Sequence, residues 1–94
     1  MIFEKKMDYT EVFKKVLLEE PHCILGKKGI TEEFVTHVNT LLKRYKVIKV
    51  KALKSVATKS NIKDIAAQVS ERSNSFLLDL RGKTFILSKK QIGK

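Results

Sequence analysis

The chain has 94 residues, and 20 Lys and Arg against 10 Asp and Glu leave a formal net charge of +10. That length sets one domain with an economical core, and a hydrophobic share of 43% with only 4 Gly and 1 Pro argues against disorder. A single cysteine, Cys23, excludes an internal disulfide and a zinc site built on a CxxC pair, and suits a reducing compartment. No apolar run approaches the roughly 20 residues that span a bilayer, and Met1 to Asp8 has no signal-peptide core, so a cytoplasmic protein is expected.

Asp8 followed by Glu11 resembles a capping box, and Tyr9, Val12, Phe13, Val16 and Leu17 recur at helical spacing. The spacing predicts a first helix over about residues 9 to 19, stopped ahead of Pro21, which cannot continue it. His22 to Leu25 has strand character. Gly26-Lys27-Lys28-Gly29 interrupts it, and Thr31 is a good N-cap for a second helix over about 32 to 45 with the apolar stripe Phe34, Val35, Val38, Leu41, Leu42 and Tyr45. Val47 to Leu53 alternates β-branched residues with lysines, as a strand that buries Ile48 and Val50 and wets Lys49 and Lys51. Ser60 or Asn61 caps a third helix carrying Ile62, Ile65, Ala66 and Val69, which ends near residues 72 to 74. Phe76 to Arg81 and Thr84 to Ser88 flank Gly82-Lys83 as a hairpin. The order α-β-α-β-α-β-β implies a single compact α/β domain over 1–94, with helices packed on a four-stranded mixed sheet and flexible ends at 1–7 and 90–94.

The charge points to a nucleic-acid partner, since a strongly basic small domain carries that electrostatic footprint; solubility alone is the blander explanation. The loop after the first strand sharpens it. Two glycines let the backbone turn tightly and approach a ligand, and the following helix aims N–H groups and a positive dipole end at the same place. Lys27 and Lys28 add two ammonium groups, in the manner of a GxxG loop that clamps a nucleotide backbone. The GxxxxGK[ST] pattern of a nucleoside-triphosphate loop is absent.

Between Glu33 and Asp64 there is no acidic residue, while Lys43, Arg44, Lys46, Lys49, Lys51, Lys54, Lys59 and Lys63 all fall there. Lys43, Arg44 and Lys46 also suit the negative end of the second helix. Lys49 and Lys51 lack that reason; they form a wet basic stripe or lie covered with partners, and the wet stripe is the expectation. Lysine-dominated contact positions a backbone rather than reading bases. Tyr9, Tyr45 and Phe3 are the aromatics that could stack on a base, although core or rim packing is the commoner role of the tyrosines.

Catalysis is not expected. His22 and Cys23 are neighbours on a strand and point to opposite faces, and His37 flanks an apolar stripe. Two histidines without a carboxylate cluster make a poor metal site. No cofactor is called for.

The run Ile24-Leu25-Gly26-Lys27-Lys28-Gly29-Ile30-Thr31, then a helix, then Val47-Ile48-Lys49-Val50-Lys51, and Gly82 before Phe85-Ile86-Leu87, resembles the CRM (chloroplast RNA splicing and ribosome maturation), or YhbY-like, family over about residues 9 to 90. The resemblance implies a fold similar to the C-terminal domain of translation initiation factor three. It implies RNA binding through Gly26, Lys27, Lys28, Gly29 and a neighbouring basic surface, in large-subunit ribosome assembly or RNA maturation; the charge pattern offers Lys43, Arg44, Lys46, Lys49, Lys51 and Lys54 for that surface. Leu87-Ser88-Lys89 departs from the family's frequent Leu-Tyr-Arg, which removes a stacking tyrosine. The Alba family of DNA-binding chromatin proteins is similar in size and basicity but typically begins with a strand, so the amino-terminal helix and the Gly82 hairpin favour RNA. An acidic protein partner is a third reading. No helix surface is left over for self-association, so a monomer is expected.

Overall fold

The computed structural model describes residues 9–58 and 60–89, with side chains from residue 11 onward. The Asp8 cap, Phe3, Lys59, the side chain of Tyr9 and the expected flexibility of 1–7 and 90–94 lie outside the described residues.

The elements follow the expected order: α1 (Tyr9–Leu17), β1 (Cys23–Leu25), α2 (Glu32–Tyr45), β2 (Val47–Ala52), α3 (Ile62–Arg72), β3 (Phe76–Arg81) and β4 (Thr84–Ser88). The four strands form one sheet in the order β1-β2-β4-β3. β1 runs parallel to β2, with Leu25 opposite Ala52, as a pair bridged by a crossover helix requires. β4 runs antiparallel to both β2 and β3, which makes the sheet mixed.

Helices cover both faces. On one, Val38 and Leu42 of α2 and Ile62, Ala66 and Val69 of α3 pack on Leu25, Ile48, Val50, Phe85 and Leu87. On the other, α1 lays Val16, flanked by Val12, Phe13 and Leu17, against Val47 and Ile86. The period-2 alternation of a strand sends Ile48 and Val50 to the first face and Val47 and Lys49 to the second. A register shift in β3 between Leu77 and Asp79 breaks that alternation. Leu77 packs with the larger core and Leu78 with the smaller one, while Asp79 borders the same shallow pocket as Ile86, on the α1 side.

Lys49 is where the strand pattern and the structure part company. The wet stripe does not form at this position. α1 ends two residues early, at Leu17, and the Lys49 ammonium donates to the carbonyls of Leu17 at 3.1 Å and Glu19 at 2.7 Å. A cation therefore takes up the orphan carbonyls at a helix end, where the dipole is also negative. Lys49 is half-buried, whereas Lys51, two residues on, is exposed. The third helix differs in a smaller way. Asn61 sits at its N-cap without a side-chain cap bond; its Oδ1 accepts instead from the Thr58 amide at 2.6 Å, and Ile62 N donates to the Thr58 carbonyl at 3.0 Å.

Lys49→Met keeps the aliphatic stem and removes the ammonium. It is expected to lower the unfolding free energy by about 1–2 kcal/mol, read as a drop in the urea midpoint with an unchanged m-value.

Candidate nucleic-acid interface

The glycine-flanked loop leaves β1 after Leu25, whose carbonyl accepts from Leu53 N at 3.1 Å. Gly29 N donates back to the Gly26 carbonyl at 3.0 Å and closes a four-residue turn with Lys27 and Lys28 at its corners. Gly29 holds φ at +75°, a left-handed conformation that costs an L-residue about 1–2 kcal/mol. Thr31 N then donates to the Gly29 carbonyl at 3.1 Å, and Thr31 Oγ1 accepts from Phe34 N at 3.0 Å as the α2 N-cap. Both lysines are exposed, and no backbone acceptor meets their amides among the described residues.

The loop and the first turns of α2 border an open concavity of about 480 Å³ that also includes Phe34, His37 and Glu33. The helix dipole favours an anion here, but the exposed carboxylates of Glu32 and Glu33 in the first turn oppose one. The favourable approach is over the Lys27-Lys28 corners, not along the helix axis. Gly26 has neither an unusual φ nor a crowded Cβ position: an added methyl would meet only Leu53 Cδ1, at 4.0 Å. Neither folding nor packing demands a glycine there, and the missing side chain leaves the backbone open to a ligand.

The structure does not gather the ten expected site residues on one surface. Leu25 pairs with Ala52, and Lys51 with Thr84. The Gly26–Gly29 loop, Lys51, Lys54 and the β3–β4 turn therefore share one end of the sheet, stitched by Ala52 N donating to the Lys83 carbonyl at 2.8 Å. Lys43, Arg44 and Lys46 sit at the other end of α2, beside Val47. A helix of 14 residues separates the two groups by roughly 20 Å. Between them Lys49 is committed to α1.

Three basic residues outside the expected set also lie near the loop. The Arg72 guanidinium, at the end of α3, makes a long 3.5 Å hydrogen bond to the carbonyl of Ile30, next to the glycine loop. The hairpin brings Arg81 and Lys83 to the loop end, with Arg81 paired to Asp79 at 2.9 Å. Their approach to the loop depends on chain-distant packing, which no local pattern announces. At the opposite end, Tyr45 is exposed, with Arg44 5.4 Å from its ring centre and His22 at 4.9 Å between centroids. These residues line an open pocket of about 270 Å³ together with Lys15 and Glu19. Ser88, at the position of the family's tyrosine, is fully buried.

No catalytic constellation forms from the expected groups. His22 accepts from Lys49 N at 3.0 Å through Nδ1, and its pKa is lowered by burial, an effect reinforced by Lys49 and partly offset by Glu19. Burial pushes the Cys23 thiol up to about 11, which leaves it unreactive at neutral pH. His37 is exposed. Among the described residues no group of His, Cys, Asp or Glu is placed to hold a metal ion, and no helix is long and apolar enough to cross a membrane.

The fold and site define a basic α/β domain with an exposed glycine-flanked lysine turn. The chain matches the CRS1 / YhbY (CRM) domain over residues 7–89, and it belongs to that family of RNA-binding domains. A search of curated proteins by sequence returns no significant match. Among solved structures, the fold is similar to that of the hypothetical protein SAV1595 from Staphylococcus aureus, itself suggested to bind RNA. The TM-score is 0.71 at 21% identity, over 89% of this chain and 85% of that one.

Two outcomes follow from this geometry. Gly29→Ala is expected to destabilise the fold by about 1–2 kcal/mol through its positive φ, whereas Gly26→Ala is expected to leave the thermal midpoint near the parent and to weaken ligand binding. Thermal melts and an RNA titration of both variants separate these effects. For His22 the folded pKa lies below the unfolded 6.5, so the unfolded state binds more protons as pH falls through 6.5. Stability is then lost on acidification between 6.5 and the folded pKa. Thermal midpoints taken from pH 7 to 5 are expected to fall, and His22→Asn, which keeps an acceptor for Lys49 N, is expected to flatten that dependence.

Proposed function

We propose that this protein binds structured RNA through its sugar-phosphate backbone, with the Gly26–Gly29 turn as the principal contact, and acts without catalysis in large-subunit ribosome assembly or RNA maturation. The observation that carries the reading is the exposed Lys27-Lys28 corner. Lys27 and Lys28 are exposed, and among the described residues no backbone acceptor meets their amides, on a turn whose flanking glycines leave room for a phosphate. Membership of the CRM family supports it, as does the net charge of +10. Lys51 and Lys54 lie at the same end of the sheet and extend the positive surface.

Contacts of this kind release counterions, so affinity is expected to fall steeply with salt and to depend weakly on base sequence. The test is a titration of matched structured RNA, single-stranded RNA and duplex DNA at several salt concentrations. Lys27→Ala with Lys28→Ala is expected to weaken structured-RNA binding and to lower the salt slope by about one per lysine. Parent-like affinity in the folded double variant would remove the loop from the interface. A preference for duplex DNA would instead favour a chromatin-type role.

A further inference from the structure

We infer that the groove between the carboxyl-terminal halves of α2 and α3 is a second phosphate-binding site, so that an RNA strand held at the Gly26–Gly29 turn continues along α2 into it. The inference rests on the proposed RNA reading and adds a path to it. The groove has a volume of about 350 Å³ and is bordered by Asn39 and Lys43 of α2, Arg72 at the end of α3, Asn74 just beyond, and Lys89 after β4. Three basic residues from three separate elements line it, and among the described residues no carboxylate does. The concavities at the loop, beside Tyr45 and beside Arg81 each include one: Glu33, Glu19 and Asp79 respectively.

Such a cluster of basic residues attracts an anion. Like charges brought into one concavity repel, and the ion pairs among the described residues, Lys15 with Glu19 and Arg81 with Asp79, involve none of the three. Helix-end stabilisation explains part of the pattern, since Lys43 and Arg72 lie in last turns. It does not explain Lys89. The terminal carbonyls are also served without these side chains: Lys46 N donates to Leu42 O at 2.9 Å, and Ser73 Oγ to Val69 O at 2.7 Å. The Asn39 and Asn74 amides add neutral donors suited to phosphate oxygens.

Arg72 connects the groove to the loop, because it borders the groove while its guanidinium reaches the carbonyl of Ile30, one residue past Gly29. From Thr31 to Lys43 the helix advances roughly 18 Å, so a single strand held at both ends would gain affinity through effective concentration rather than through new chemistry.

The test is fluorescence anisotropy of the intact chain with a labelled RNA hairpin over a salt series. Lys43→Ala with Lys89→Ala is expected to weaken binding by at most about tenfold per lysine and to lower the salt slope by about one per lysine. Asn74→Asp places a carboxylate in the groove at φ +58°, a conformation that Asp tolerates, and is expected to weaken binding with unchanged circular dichroism. Parent-like slope and affinity in all groove variants, with loss in the Lys27→Ala, Lys28→Ala control, would overturn the groove and leave the loop reading standing. Parent-like binding in the control as well would sink both. Groove variants that lose binding to polyglutamate but not to RNA would assign the groove to an acidic protein and overturn the inference.

Discussion

The arrangement depends on β2 being enclosed on every side. It is hydrogen-bonded to β1 along one edge and β4 along the other, with α2 and α3 over one face and α1 over the opposite one. Val47, Ile48 and Val50 are fully buried as a consequence. A strand so enclosed cannot present a ligand surface along its length. Exposed basic groups are driven to the two ends of the sheet, where the backbone leaves the ladder and loops and helix termini reach water.

Lys49 shows how that enclosure reassigns a residue. In the sequence it is indistinguishable from Lys51, the next position on the same strand face. The helix that covers Val47 and Ile86 ends directly over it, and its free carbonyls draw the ammonium in. One of two similar lysines thus becomes a structural clamp between α1 and the sheet, and the other stays on the surface. His22 takes part in the same junction, since it exchanges hydrogen bonds with Lys49 in both directions, N–H to carbonyl at 2.8 Å and amide to Nδ1 at 3.0 Å.

The basic surfaces follow the two ends. At one, the short turn from β1 into α2 displays Lys27 and Lys28 beside Lys51 and Lys54. At the other, the end of α2 and the exit of β4 carry Lys43 and Lys89, and Arg72 at the end of α3 reaches from there toward Ile30. The acid-free stretch of sequence supplies cations to both ends, because α2 and β2 carry the chain from one to the other and back. Its apparent continuity along the chain is therefore a continuity of folding path, not of surface.

Much of this was legible in the sequence. Apolar spacing located α2 at its observed bounds and placed the hairpin at Gly82-Lys83; the Gly26–Gly29 turn, the Thr31 cap and the burial of Ile48 and Val50 were all readable. Each reflects interactions between residues near one another along the chain, where periodicity and turn chemistry act directly. Tertiary structure alone decided that α1 takes the opposite face from α2 and α3, that Lys49 is spent on a helix end, that the cations divide between two poles, and that Arg72 reaches Ile30. Those outcomes turn on which distant carbonyls and charges meet once the layers pack, and no local pattern encodes such an encounter.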